Sequence, residues 1–356
     1  MKIIQVMPEF ALAGAEVMCE NLCYELTKMG HKVIAISMYT LHTPITDRLE
    51  ESGIDVIYLD KKPGFDISLF GKMRKIFKKE KPDVVHTHRY TTIYAMPSAI
   101  LSGIKKKVHT VHSVAQKEST NLGRKINYIL FNFFKVVPVA LSEIVKDTII
   151  TEYKQKPSDV PVVLNGMPLD KYTPKKDYSS KDSMQIIHIG RFSKPKNHTR
   201  LIEAFEKVCK KFPDTHLNLF GEGELLEETK KLVNEKKLTK NVDFCGLSNA
   251  IAEELAKNDI FCLPSDYEGV PMTLIEAMAS AMPIVATNVG GIPDMLLTGK
   301  DAFLCEKSSD AVADCLIELI SSSDLRKKFG ENALIRSNEF SSQTMTKHYL
   351  EIYQKM

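Results

Sequence analysis

Ile260-Phe-Cys-Leu-Pro264 runs into Ser265-Asp-Tyr-Glu-Gly-Val-Pro-Met-Thr-Leu-Ile-Glu-Ala-Met278. The first five residues read as a buried strand, and the apolar, Ala-rich far end reads as a helix. Pro271 fits the first helical position, where a missing N–H costs nothing and φ is already set. A strand–loop–helix of this kind leaves the amides of Met272, Thr273 and Leu274 unpaired at the positive end of a helix dipole, which makes an anion site. Glu268 and Glu276 frame it. Neither carboxylate helps to hold a bare phosphate, but each is a strong acceptor for neighbouring hydroxyls. A nucleotide sugar has both parts: a ribose diol for Glu276, hydroxyls of a second sugar for Glu268, and a diphosphate for the helix N-terminus. Two solvated surface carboxylates are the alternative that spacing alone leaves open.

Outward from this stretch, strand-like and helix-like segments alternate. In the second half, strands are expected at 185–190, 215–220, 242–245, 259–263 and 283–287, with helices near 198–211 and up to 237. The first half repeats the pattern, with strands at 2–7, 32–38, 54–59, 83–88, 108–112, 136–141 and 161–164 and helices at about 15–29, up to 79 and from 142. Such alternation means parallel sheets wrapped by helices, here α/β in two doubly wound domains. Gly, Pro, Asp, Lys and Ser between 165 and 183 fit a linker. Two domains of this type set a cleft between the carboxyl edges of their sheets, where ligands of such folds bind. The segment 344–353 is amphipathic, with Met345, Tyr349, Leu350 and Tyr353 at helical spacing.

With 356 residues, 44% of them hydrophobic and 26% charged, the chain is an ordinary globular protein long enough for two cores. No apolar run approaches the roughly 18 residues of a membrane span, and the N-terminus reads as a strand instead of a signal peptide. Seven cysteines without paired metal spacing point to a reducing, cytoplasmic setting. Cys19 and Cys23 read as buried packing. Residues 1–160 hold 23 Lys and Arg against 17 Asp and Glu, a net +6, while residues 161–356 carry −3. This basic half fits either a solvated face or a peripheral contact with an anionic membrane, at its inner face. No nucleic acid is expected as a partner.

Gly190-Arg-Phe-Ser-Lys-Pro-Lys-Asn197 leaves a strand and enters a helix. Arg191 can fork two phosphate oxygens and Lys196 adds a mobile charge, so the two could balance a diphosphate without a metal. No Asp-x-Asp occurs, Asp266 and Glu268 come closest, and no metal or other cofactor is expected. Gly221-Glu-Gly-Glu-Leu-Leu226 is half of a dinucleotide-binding turn, equally explained as a tight strand-to-helix turn. In Ala13-Gly-Ala-Glu16, Gly14 permits close backbone approach to a ligand, or is an ordinary turn residue. His86, His88, His109 and His112 end two adjacent strand-like runs without a recognisable metal set. His112 donating to a sugar hydroxyl or to backbone is the simpler picture, with His86 and His88 open to a structural role. Arg124-Lys-Ile-Asn-Tyr-Ile-Leu-Phe-Asn-Phe-Phe-Lys135 suits a membrane-surface helix or a buried one.

Taken together, these residues resemble family 4 glycosyltransferases of the GT-B fold over nearly the whole chain. The resemblance is carried by Glu268 and Glu276 within the opening stretch, Gly190-Arg191 with Lys196-Asn197, Val163-Leu-Asn-Gly-Met167, Gly14-Ala-Glu16 and Thr110-Val-His-Ser113. It implies two Rossmann-like domains facing each other across a cleft. An acceptor-side domain over 1–164 would be joined by a C-terminal helix at 342–356 that crosses back to it, and a donor-side domain would span 165–341. It also implies retaining transfer of a hexose or N-acetylhexosamine from a nucleoside diphosphate, UDP by preference, to a glycan or lipid-linked saccharide.

By the same resemblance, Arg191 and Lys196 hold the diphosphate, Glu276 the ribose and Glu268 the donor sugar. Val270 and Pro271 line that sugar, Met272 and Thr273 give amides to phosphate, His112 lies near the sugar, and Gly14 belongs to the loop over the donor. Ala13 departs from the family, where many members carry a second glycine. A sugar phosphorylase or epimerase of the same fold, or a non-catalytic nucleotide-sugar-binding subunit, fits the same motifs.

Overall fold

The computed structural model describes residues 1–11 and 13–356. The chain forms two compact units, Met1–Pro168 with Glu339–Met356, and Leu169–Asn338. Among the described residues each unit holds one six-stranded sheet.

In the first unit the strands are β1 (Lys2–Met7), β2 (Lys32–Ser37), β3 (Asp55–Tyr58), β4 (Val84–His88), β5 (Lys106–Val111) and β6 (Val136–Ala140). They are all parallel, in the order β3-β2-β1-β4-β5-β6. Helices cover both faces, so the central strands are buried apart from Lys2 and Lys32 at their starts; β1 and β2 read as near-continuous apolar runs, while β4 carries His86, Thr87 and His88 into the interior. One face packs Ile4, Val6, Phe77, Tyr94 and Phe131. The other packs Ile3, Met18, Leu22 and Cys23 against Met345, Tyr349 and Tyr353 of the helix Ser342–Lys355. That last helix therefore completes the first unit, against the helix Gly14–Lys28. Gly166 is where the returning chain crosses: a Cβ there would stand 2.4 Å from the Ser341 carbonyl oxygen. The segment 161–164 makes no strand; it adds one bridge, from Val162 to Ala140, the last residue of β6.

The second unit repeats the design with β7 (Gln185–Ile189), β8 (His216–Phe220), β9 (Val242–Gly246), β10 (Ile260–Leu263), β11 (Ile284–Thr287) and β12 (Phe303–Cys305). Its order, β12-β11-β10-β7-β8-β9, is also parallel throughout. In both units the order reverses beside the first strand. Such a switch point opens a crevice at the carboxyl ends of the two strands that flank it. For the second unit these are β7, which leads into Gly190-Arg191, and β10, which leads into Ser265–Glu268.

Candidate functional site

At the β10 side of the crevice the helix Met272–Ala279 begins one residue later than expected. Pro271 has φ −72° and ψ 116°, extended backbone, so it precedes the helix as its N-cap. Its carbonyl accepts from Leu274 at 3.1 Å and Ile275 at 3.4 Å, so the Leu274 amide is not open. The amides of Met272 and Thr273 are the ones left over, and no side chain caps the helix. Thr273 Oγ1 is likewise buried without a partner. This end of the helix thus carries concentrated hydrogen-bond donors.

Glu268 is 8% exposed. Its Oε1 accepts from Lys196 Nζ at 2.6 Å and from Ser265 Oγ at 2.6 Å. Ser265 is held in turn by Thr287, whose hydroxyl donates to its carbonyl at 2.5 Å. Behind the loop, Gly290 has φ +54°, and a Cβ on it would stand 1.8 Å from the Glu268 carbonyl oxygen; one on Gly291 would lie 2.3 Å from that of Gly269. The Gly-Gly pair after β11 therefore lets two backbones meet and fixes where Glu268 stands. Asp266 points elsewhere, to Arg200 Nη2 at 2.6 Å and Asn197 Nδ2 at 2.9 Å. Burial pushes its carboxyl up, but these two partners outweigh that and hold it below the usual range.

On the β7 side, Lys196 runs past Gly190, its Cδ 3.5 Å from where a Cβ would be. Arg191 is solvated and, among the described residues, its side chain makes a surface ion pair to Glu224 at 3.2 Å. Gly221 (φ +137°) and Gly223 (φ +156°) let their turn close on Gly190 and Phe192, where side chains would collide at 2.2 and 2.4 Å. That turn is accounted for by packing.

Arg191, Thr273 and Glu276 line one pocket of about 430 Å³, with Gly190, Gly221 and Ser248 among its other walls. Glu276 is half-buried, which raises its carboxyl, although the Tyr172 hydroxyl at 2.7 Å and the Lys171 charge act against that rise. Lys196 and Glu268 meet each other past the ends of β7 and β10, outside the lining of that pocket. Val270 and Met272 have exposed side chains, and Pro271 is buried.

In the first unit, Gly14 opens the helix Gly14–Lys28 with nothing within 4 Å of a would-be Cβ, so the free protein does not require glycine there. His112 follows β5. Its Nε2 lies 3.0 Å from His88 Nδ1, and burial pushes its imidazole down to about 3, helped by His109 and Arg89. Glu118 braces the same turn, accepting from the Ser113 amide and hydroxyl at 3.2 Å each. His86, His88 and His109 are fully buried, and each is hydrogen-bonded within the unit. Among the described residues, the one cluster able to gather three metal ligands is His42, Asp47 and Glu50, all exposed.

Sequence reasoning missed Tyr172, Ser265, Gly290-Gly291 and Glu118. Only the glycine pair carried a visible signal, since two glycines after a strand mark close backbone approach.

Comparison with known proteins agrees along the whole chain. The family described as Glycosyltransferase Family 4 matches residues 12–171, and that described as Glycosyl transferases group 1 matches 171–336. N-acetyl-alpha-D-glucosaminyl L-malate synthase of Bacillus anthracis is 28% identical, covering 96% of this chain and 94% of that protein. UDP-Gal:alpha-D-GlcNAc-diphosphoundecaprenol alpha-1,3-galactosyltransferase of Escherichia coli is 29% identical over 78% of this chain and 77% of its own. Among solved structures, a glycosyltransferase from Rickettsia africae superposes with TM-score 0.80 at 23% identity, covering 99% of this chain and 98% of the other. Anabaena Alr3699/HepE in complex with UDP does so with TM-score 0.79 at 19% identity over 100% of both. With family matches that together span residues 12–336, the chain belongs to the family 4 glycosyltransferases, its second unit a group 1 domain, and is a glycosyltransferase of the GT-B fold.

Proposed function

We propose that this enzyme is a retaining, metal-independent glycosyltransferase that moves a hexose or N-acetylhexosamine from a UDP-sugar to a glycan or lipid-linked saccharide. The observation that carries the reading is the convergence at one switch-point crevice of Lys196 with Glu268, and of Arg191, Thr273 and Glu276 around one pocket. UDP is preferred because the Anabaena protein of like fold was solved with it, and a relative is named for UDP-Gal. The pairing of Asp266 with Arg200 and of Glu268 with Lys196 favours charge balance by cations of the chain.

In this reading the bond from the anomeric carbon to the β-phosphate oxygen breaks and its electron pair stays on that oxygen. Arg191, Lys196 and the amides of Met272 and Thr273 stabilise the growing charge. The acceptor hydroxyl attacks the face being vacated and passes its proton to the departing phosphate oxygen. Glu276 holds the ribose, while Glu268 orients sugar hydroxyls. Val270 and Pro271 flank the sugar, and His112 and Gly14 are assigned to it by the family resemblance. Retaining glycosidases use instead a carboxylate nucleophile opposite the leaving group.

A panel of labelled nucleotide sugars, with saccharide and lipid-linked acceptors and EDTA present, tests the whole reading. Transfer with the anomeric configuration kept is expected; transfer from no donor, or transfer abolished by EDTA, would refute it. The panel includes L-malate, because the relative aligned over 96% of the chain is named for it.

The acceptor reading extends to a cytoplasmic enzyme peripheral to an anionic membrane. No helix among the described residues is long and apolar enough to cross one. The helix Asn121–Phe133 buries Leu130 and Phe131 but exposes Leu122, Ile129 and Phe133 beside Lys125, a pattern that favours surface contact. Co-sedimentation with anionic vesicles that is insensitive to added salt, or absent, would count against it.

A further inference from the structure

We infer that His88 is a positioning residue that fixes the tautomer of His112, so that His112 offers a sugar hydroxyl a lone pair at Nδ1 and not a proton. The placement of His112 at the sugar rests on the function proposed above; the tautomer does not.

The parallel register pairs His88 on β4 with Thr110 on β5, two residues before His112, so the two rings lie on the same side of the sheet. They meet with His88 Nδ1 3.0 Å from His112 Nε2. The other nitrogen of His88, Nε2, lies 2.9 Å from Gln5 Oε1. An amide oxygen only accepts, so Nε2 of His88 carries the hydrogen and, in a neutral ring, Nδ1 keeps its lone pair. The hydrogen between the two rings therefore belongs to His112 Nε2. Both rings are neutral at ordinary pH, since burial pushes His88 well below its usual range and His112 down to about 3. His112 Nδ1 is then an acceptor. It has no partner among the described residues and is not sealed from solvent. On this inference His112 accepts from the sugar, where the sequence-based expectation had it donating to a sugar hydroxyl or to backbone.

The orientation of Gln5 is anchored by the helix that returns to this unit. Gln5 Nε2 donates to the Tyr353 hydroxyl at 3.4 Å. With its oxygen accepting from Gln5, the Tyr353 hydroxyl gives its proton to His86 Nδ1 at 2.7 Å, which leaves the hydrogen of the neutral His86 ring on Nε2, facing Thr110 Oγ1 at 2.8 Å. Thr110 in turn faces the Tyr349 hydroxyl at 2.8 Å. Every hydrogen along this path has one acceptor, so the polarity set by the Gln5 amide runs through His88 to His112 on one side and through Tyr353 to His86 on the other. With Gln5 turned over, the polarity would reverse and the proton would sit on His112 Nδ1.

Ring-15N-labelled histidine in the full chain, read by long-range 1H–15N correlation at pH 7, reports the tautomers directly, and His112→Gln assigns the His112 signals. The expected result is an Nε2–H tautomer at His112 in the native protein and a mixture in His88→Leu. His88→Asn should restore Nε2–H, because its amide oxygen can accept in place of Nδ1. In the transfer assay His88→Leu should lower kcat about tenfold, as for one lost hydrogen bond, with His88→Asn recovering most of it. An Nδ1–H tautomer in the native protein, or a His112 tautomer indifferent to His88→Leu, overturns the inference. If the tautomers come out as expected while His112→Gln transfers sugar at the native rate, the positioning stands and the placement of His112 at the sugar is what fails.

Discussion

Replacing Lys196 by alanine should damage folding stability and turnover by separable amounts. The Lys196–Glu268 pair is 2.6 Å long, with the two side chains 21% and 9% exposed. Exposed pairs contribute about 0–1 kcal/mol, whereas truncating one partner of a fully buried pair costs about 3–5 kcal/mol. This pair lies between those limits, and Ser265 still donates to Glu268 after the lysine is gone. Lys196→Ala should therefore cost about 2 kcal/mol, which for a unit of this size lowers its Tm by about 4–8 °C. Glu268→Gln removes the charge that needs the lysine. The double variant should thus be less destabilised than the two single changes added together, with a coupling of about 1–2 kcal/mol. Turnover behaves differently. If Lys196 stabilises the departing phosphate, kcat falls about 10²–10³-fold in Lys196→Ala, and the double variant does not recover it. The assays are thermal unfolding without ligand and initial rates at saturating donor. Strict additivity of the two stability changes would refute the pairing argument, and undiminished turnover in Lys196→Ala would refute the role at the phosphate.

Acid should unfold the first unit early. His109 and His112 are each pushed down to about 3 by burial, against about 6.5 in an unfolded chain. The unfolded chain then takes up protons that the folded one refuses, so stability holds above about 6.5 and erodes as pH falls toward 3. Each histidine loses about 2 kcal/mol between pH 7 and 5; a urea midpoint unchanged over that interval would contradict this. Gly290→Ala should destabilise by more than about 2 kcal/mol and reduce transfer, since the new Cβ would overlap the Glu268 carbonyl, whereas Gly14→Ala should leave unfolding of the free protein nearly unchanged and lower turnover about tenfold. Equal effects of these two changes on stability would argue against the steric reasoning. Tyr353→Phe strands His86 Nδ1 in the core and should cost about 1–3 kcal/mol, checked by thermal unfolding.

A strand buried on both faces leaves a strong trace in a sequence where nothing polar interrupts it, as in β10, and β1 was legible despite Gln5 because four of its six residues are apolar. The edge strand β12 is three residues long and left none. The segment 161–164 looks like a strand because it is apolar, but it meets the sheet only beside the last residue of β6 as the chain departs for the second unit, and finds one bridge to make. The crevice was legible from loops that combine glycine, proline and charge after an apolar run. What supports those loops was not. Tyr172 reaches Glu276 across 104 positions, and His88 meets His112 only because of the register of β4 on β5. Such pairings are made by topology and have no local pattern to read. Pro271 shows the limit at single-residue scale, since a proline suits both the first helical position and the residue before it.

The return of the helix Ser342–Lys355 to the first sheet also bears on how the protein is made. Translation delivers the first six strands long before that helix, so the apolar surface around Met18, Leu22 and Cys23 waits uncovered on the ribosome while about 170 further residues are added. The second unit, continuous in sequence, is free to fold during that wait. A nascent chain stalled before residue 339 would thus carry a finished second unit beside an unfinished, sticky first one, and it is the latter that chaperones and proteases would recognise.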